Sequence, residues 1–399
     1  MSESRMDRAQ FLRRAAALGL LAGVGGTAAA GALPPLAAAA EGSETQAGSR
    51  GAGEAGGRRR HPRLAFKGVA YDVGTGFLGD DSRARWNHEL MRGEIRAVRH
   101  RLHANWVSIY GSNVERLVET AEVALRQGLA VSVQPRAFDE PQADALEKLR
   151  QVAVAVEGLR RRYDKEVILA VGCEFMLFTP GIVPGADFFE RVEYLTKGEF
   201  DMKELQRKFR TFTAQMVKVA RRNFQGRITY GAAHDLENVD WSLFDIVGLD
   251  YYSYHEDPAG HTKELAPFKK WGKPIMILEF GCCTFTGAPE LGGMGWDIVD
   301  FSGDVPVIPP QYTRDEQAQA DHLANMLEVF TDEGFLGASM YTFISSDAPH
   351  RPNDRPHDED IAAFSLCKVR RKDSDDPASP YRWEPKKSFH SVARYYATH

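Results

Sequence analysis

Two glutamates stand at the ends of apolar runs. "EVILAVGCEF" (166–175) carries Glu174, and "KPIMILEFGCC" (273–283) carries Glu279 followed by a glycine and two adjacent cysteines. Both runs have the composition of a buried strand. Burying a lone carboxylate costs on the order of several kcal/mol unless it is paired or hydrogen-bonded. A carboxylate at the very end of such a strand is covered on its flanks and open along the strand axis, where it can meet a substrate. Two of them facing one another can divide acid/base and nucleophilic work.

Such placement needs a scaffold that brings strand ends together. Strand-like runs recur at 63–72, 105–111, 129–136, 166–175, 226–233, 244–252, 273–281 and 334–344. Helical periodicity fills the gaps: around Arg85 to Ala104, in "NVERLVETAEVALRQG", at 142–163, at 202–223, at 314–333 and in the terminal "EPKKSFHSVARYY". Only a short helix follows the fifth run. Eight strands alternating with helices predict an α/β fold, a (β/α)8 TIM barrel. The glycines of "VAYDVGTGFLG" lack the GxGxxG spacing of an open dinucleotide-binding sheet. In a barrel, catalytic groups come from the C-terminal strand ends. Alternation along strand four places Ala170, Gly172 and Glu174 inward and Cys173 toward the helices. On strand seven it places Ile277 and Glu279 inward, with Met276, Leu278 and Phe280 outward.

On these residues the chain resembles the clan A retaining glycoside hydrolases, barrels with a glutamate ending strand four and another ending strand seven. The resemblance covers about residues 63–399 and implies Glu174 as acid/base and Glu279 as nucleophile. Retaining hydrolysis requires carboxyl groups about 5–5.5 Å apart. "DIVGLDYYSY" (245–254) is similar to the sixth-strand motif of several members, with Tyr252 where a tyrosine bonds the nucleophile and Asp250 where asparagine is usual. "WEPKKSFHSVARYY" looks like the end of such barrels. Two departures stand out. Cys173 occupies the place of the asparagine before the acid/base, and "MYTFISSD" lacks the tryptophan common at the end of strand eight. A second stretch, "EIRAVRHRLHANWVSIYG", resembles uncharacterised bacterial proteins labelled abortive phage infection proteins.

Further candidates for substrate binding are Arg136, Asp72, His234 and Trp296, each at or just beyond a strand end or in the long loop after strand seven. Several of the candidate residues have a structural alternative. Arg136 can pair with Glu279, backbone donors can satisfy Glu174, and Tyr252 can be a core aromatic with a bonded hydroxyl. His234 can be a loop histidine, and Trp296 can pin its loop rather than stack on a sugar. The segment "SSDAPHRPNDRPHDED" (345–360) offers His350, His357, Asp347, Asp354, Asp358 and Asp360 to a metal-dependent barrel hydrolase, but its spacing matches no ligand motif and its prolines predict a solvated loop. Tyr71 and Asp72 stand where many metal-dependent barrels have a histidine pair. We therefore expect no metal and no cofactor. A non-catalytic carbohydrate-binding barrel is the other alternative, since fold does not license function.

The 399 residues carry a formal net charge of −5 and only short basic runs, which argues against a nucleic-acid surface and leaves a carbohydrate as the expected partner. The oligomeric state is left open. The first 40 residues have a basic start, a weakly apolar stretch and small residues at Ala38 to Ala40, as in an export signal. "DRAQFLRR" is twin-arginine-like, with Ala9 where the second arginine would stand. Residues 41–62 are a Gly/Ala/Ser/Arg linker, and 63–399 form the catalytic barrel. This organisation predicts a secreted or extracytoplasmic protein with no membrane span in its mature form. An exported chain can form disulfides, so Cys173, Cys282, Cys283 and Cys367 can be bridged or free.

Overall fold

A computed structural model describes residues 63–77, 80–196, 200–300 and 305–399. The export segment and linker predicted at 1–40 and 41–62 lie outside the described residues. Eight parallel strands close into a barrel in sequence order: β1 Phe66–Asp72, β2 Trp106–Gly111, β3 Ala130–Pro135, β4 Val167–Cys173, β5 Ile228–Ala233, β6 Val247–Asp250, β7 Ile275–Phe280 and β8 Gly337–Met340. The ring closes through β1 and β8, with Lys67 opposite Ala338. The predicted (β/α)8 barrel is the observed fold.

The helices are α1 His88–His100, α2 Val114–Arg126, α3 Gln142–Arg162, α4 Met202–Asn223, α5 Pro258–Leu265, α6 Glu316–Asp332 and α7 Lys387–Thr398, with shorter turns between. Five starts carry a side-chain cap that takes up an orphan amide, Asp257 at α5 among them. Asn87 accepts from Leu90 and Asn113 from Arg116, and Asp201 and Asp315 cap α4 and α6. The Asn87 cap starts α1 three residues later than apolar periodicity alone indicates. After β5 only the single turn Trp241–Leu243 forms, as the short apolar run there predicts. Among the described residues no helix is long and apolar enough to cross a membrane.

The lower barrel is filled by Trp106, Ala130, Ile168, Ile246, Met276 and Leu278. Gly68 makes room for the indole, since a Cβ there would lie 2.3 Å from the Trp106 ring. This layer corrects the predicted parity of strand seven. Met276 and Leu278 point inward, whereas Ile277 and Phe280 join the cluster packed under the helices. Glu279 still enters the barrel because β7 carries an extra residue against both neighbours. Leu249 and Asp250 pair with Ile277 and Glu279, and Ala338 and Met340 pair with Ile277 and Phe280. A bulge of this kind aims two consecutive side chains off strict alternation. A similar shift in β4, between Ala170 and Cys173, turns the Cys173 sulfur into the barrel and not toward the helices.

The eighth run also divides. After Met340 the chain leaves the barrel, tied to β1 by Thr342 Oγ1 and Phe343 N donating to the Ala70 carbonyl at 2.8 and 2.9 Å. It then forms β9 (Ile344–Pro349) of a separate sheet with β10 (Cys367–Arg371) and β11 (Tyr381–Pro385). The segment expected as a solvated loop is thus partly strand and partly buried turn. Asp358 and Asp360 are buried against Arg314, at 2.9 and 2.8 Å, and Asp360 also meets Lys386 at 3.1 Å. His350 pairs with Asp358 and His357 with Asp354. Asp358 and Asp360 are thus occupied by cations of the protein itself, and Asp354 by a histidine.

Candidate active site

Glu279 is 7% exposed, and both its oxygens are engaged. Arg136, just past β3, donates from Nη2 to Oε1, and the Tyr252 hydroxyl donates to Oε2 at 3.0 Å. Arg136 is itself fixed. Its Nε donates to Gln134 at 2.9 Å, and its guanidinium lies 4.0 Å from the centroid of the Tyr110 ring. Tyr110 stacks on Tyr341 at 5.6 Å. The Arg136–Glu279 pair that the sequence allowed as a structural alternative is therefore real, and it sits in the barrel mouth.

Glu174 stands on the rim beside it in a left-handed conformation, φ 42° and ψ 52°, directly before the turn Phe175–Phe178. A non-glycine residue there costs on the order of 1–2 kcal/mol and persists only where its surroundings enforce it. The enforcement comes from Glu237. This buried carboxyl accepts from Met176 N at 2.9 Å, Ala233 N at 3.1 Å and the Tyr230 hydroxyl at 2.8 Å. That hydroxyl in turn receives Phe175 N at 2.6 Å. Glu174 N also donates to the Gly231 carbonyl at 2.9 Å. Burial, and then the charge of Glu279, push the Glu174 carboxyl up to about 8, against a smaller lowering by Arg136. Burial likewise raises Glu237 to about 8, its hydrogen bonds opposing.

A third carboxyl shares the mouth. Asp250, at the end of β6, is 2% exposed and accepts from the Cys173 thiol at 3.5 Å, while its Oδ1 has no partner. It packs over Gly231, where a Cβ would lie 2.7 Å from Asp250 Oδ2. Burial and the charges of Glu279 and Glu174 push it well above the usual carboxylate range. Burial first, and then the repulsion of neighbouring carboxylates, favour the protonated forms of Glu174 and Asp250.

Cys173, Asp250 and Glu279 bring three donor atoms within 4.8 Å of one another, the one cluster of metal-ligand types among the described residues. A metal fits it poorly. Arg136 already supplies the cation at Glu279, and burial pushes the Cys173 thiol up, away from the thiolate that binds metals. All four cysteines are free and buried.

The remaining candidates separate. Asp72 ends β1 and accepts from Gly74 N at 2.8 Å and from the Ser82 hydroxyl; burial raises it to about 6. His234 is held between the Asp250 carbonyl at 3.1 Å and Glu264 at 3.0 Å. Burial acts to lower it, but the Glu264 bond and nearby carboxylates prevail and raise it. Trp296 packs, half-buried, with the cluster around Cys283, Phe285 and Ile298, along with Tyr252 and Tyr341. Sequence reasoning did not single out Tyr110, Gln134, Tyr341 or Glu237. Tyr110 and Gln134 share the parity of Trp106 and Ala130, which could have found them. Glu237, in a loop, leaves no such signal.

Fold and site together define a closed (β/α)8 barrel whose C-terminal rim gathers carboxyls from strands four, six and seven around one arginine. No family model matches the chain, and no curated protein matches it. Solved structures do. A GH113 β-1,4-mannanase superposes with a TM-score of 0.56 at 14% identity, covering 85% of this chain and 100% of that one. A Bacteroides uniformis β-glucuronidase gives 0.52 at 14% identity, covering 84% of this chain and 35% of its own. A GH2 β-galacturonidase from Eisenbergiella tayi gives 0.51 at 13%, covering 85% of this chain and 52% of its own. The shared fold agrees with the resemblance to clan A glycosidases. Nothing in these comparisons supports the resemblance to abortive phage infection proteins.

Proposed function

We propose that the protein is a glycoside hydrolase that works by a retaining two-carboxylate mechanism. The observation that carries this is the asymmetry of the two rim carboxyls. Glu279 is counter-charged by Arg136 and aimed by the Tyr252 hydroxyl, as suits a nucleophile. Glu174, raised to about 8, keeps its proton at neutral pH, as a general acid must. In the first step a Glu279 oxygen bonds to the anomeric carbon as the glycosidic bond breaks. Glu174 gives its proton to the leaving oxygen. Glu174, now a carboxylate, takes a proton from water, whose oxygen displaces Glu279 and releases the sugar with its configuration retained. The barrel shared with a mannanase and two uronidases supports glycoside hydrolysis as the class of reaction.

Azide rescue tests the roles. Glu279→Ala lacks the covalent step, so azide should give a glycosyl azide of inverted configuration. Glu174→Ala should still form the intermediate from an aryl glycoside with a good leaving group, and azide should then give retention. The same anomer from both variants refutes the assignment. The Arg136–Glu279 pair also favours a second reading, a carbohydrate-binding barrel in which Glu279 is a structural ion. That reading requires wild-type protein to bind a glycan and turn over none of a panel of aryl glycosides and polysaccharides. We also infer export, from the twin-arginine-like start and the small residues at Ala38 to Ala40. Its check is the N-terminal sequence of protein recovered outside the cytoplasm; an intact Met1 on that protein refutes cleavage.

A further inference from the structure

The β9–β10–β11 sheet carries a cleft of about 650 Å³ that no part of the mechanism uses. It lies between the chain following β9 and the β10–β11 hairpin. Five cations line it (Arg351, Arg370, Arg371, Lys372 and Arg382), against one lining carboxylate, Asp354, which is already paired with His357. Part of this charge is neutralised locally. Arg370 bonds Glu384 at 2.9 Å, Arg382 lies 3.7 Å from the same residue, and Arg351 reaches Asp375, an exposed carboxylate, at 2.8 Å.

Arg371 is different. Its guanidinium makes no ion pair among the described residues and is held instead by two carbonyls, Ser379 O at 2.7 Å and Ser346 O at 2.5 Å. Half-buried beside the Tyr381 ring, it is a fixed charge that Asp347 and Asp376 offset only from beyond ion-pair distance, and burial lowers it from its ordinary value. Lys372, exposed at the same edge, has no ion pair among the described residues either. Arg351 Nε is buried without a partner. A guanidinium with no bonded carboxylate in a partly dry cleft recognises oxyanions, with geometry that suits carboxylate, sulfate and phosphate.

The cleft is far larger than one oxyanion needs, and falls in the range of about 300–1,000 Å³ typical of small-molecule sites. Tyr381, Pro352 and Pro380 add apolar wall to the cationic one. It also connects to the barrel rim. The Ser346 that holds Arg371 donates its hydroxyl to the Ser82 carbonyl at 2.5 Å, and the Ser82 hydroxyl donates to Asp72 at the end of β1. We infer that this cleft is a second carbohydrate site, which takes a sugar bearing a carboxylate or sulfate group through Arg371 and Lys372. The sugar part of this assignment rests on the proposed glycosidase function; the oxyanion part does not. A net charge of −5 works against long polyanions such as nucleic acid and favours a short acidic ligand.

Titration calorimetry on the full chain tests it without turnover. The probes are a sulfated disaccharide, a hexuronate-containing disaccharide, a neutral disaccharide of the same linkage, inorganic sulfate and a short single-stranded oligonucleotide. One or both acidic disaccharides should bind, more tightly than inorganic sulfate, and the neutral one at least about tenfold more weakly. R371Q and K372E should each weaken acidic-disaccharide binding by about tenfold, and added salt should weaken it in wild type. K372E, at an exposed position, leaves the carbonyl bonds of Arg371 in place and so tests the charge without loosening the sheet. Equal binding of the neutral disaccharide, inorganic sulfate as tight as the acidic sugars, tighter binding of the oligonucleotide, or unchanged affinity in both variants overturns the proposal. Failure of the glycosidase function itself is read separately, by the azide experiment.

Discussion

Replacing Glu174 by glutamine should make the protein more stable as pH rises, while removing its general acid. Glu174 has its folded value raised from 4.5 to about 8. The sign follows directly. A carboxyl with a raised folded value binds its proton more tightly in the native state, so its contribution to stability is complete below pH 4.5 and is lost as pH rises through about 8. At 1.36 kcal/mol per pH unit the full effect is about 5 kcal/mol. Water at the open side of the rim screens part of it, leaving about 2–4 kcal/mol as the working range. Glutamine keeps the shape and cannot ionise, so the variant escapes that loss. Urea unfolding followed by tryptophan fluorescence at pH 5, 7 and 9 reads the difference. The advantage of Glu174→Gln over wild type should grow by about 2–4 kcal/mol between pH 5 and pH 9. Glu237, also raised to about 8, titrates in both proteins and cancels in the comparison. Parallel stability curves for the two proteins would show that Glu174 is an ordinary solvated carboxylate, and the general-acid assignment would lose its physical basis.

Wild-type kcat/KM on a substrate with a poor leaving group should fall above about pH 8, as Glu174 loses its proton, and a flat alkaline limb contradicts this. Tyr252→Phe removes one donor from Glu279; a hydrogen bond to a charged group is worth about 1.5–3 kcal/mol, so kcat should drop roughly 10- to 100-fold with the fold intact by circular dichroism. Arg136→Met leaves Glu279 buried without its cation and should destabilise by about 3–5 kcal/mol in denaturant titration, with much of the loss recovered in the Arg136→Met/Glu279→Gln double variant. Glu237→Ala removes the acceptor that pins Met176 directly and Phe175 through Tyr230, so kcat should fall more than KM changes, and Glu237→Gln should restore part of it. Equal activity in Glu237→Ala and wild type would show that the left-handed Glu174 holds itself.

The eight strands, the helices between them and the two glutamates at the ends of strands four and seven were legible in the chain. These features are local. Apolar runs of strand length, helical periodicity and capping residues such as Asn87 and Asn113 act within a few positions of one another. What faces what across the barrel was not legible there, because it depends on how neighbouring strands pair. Strict alternation points Glu279 inward with Ile277, yet the structure turns Met276 and Leu278 inward and brings Glu279 in through a bulge set by both neighbouring strands. A bulge in β4 likewise moves Cys173 from the helix side to Asp250. The division of the eighth run depends on Ala70, 272 residues before Thr342, and the support of Glu174 depends on Glu237, 63 residues after it. The cysteines stayed free because their burial sites, not their spacing, set which sulfurs meet. Register, bulges and buried polar partners are properties of pairs of elements, and neither member of a pair encodes them alone.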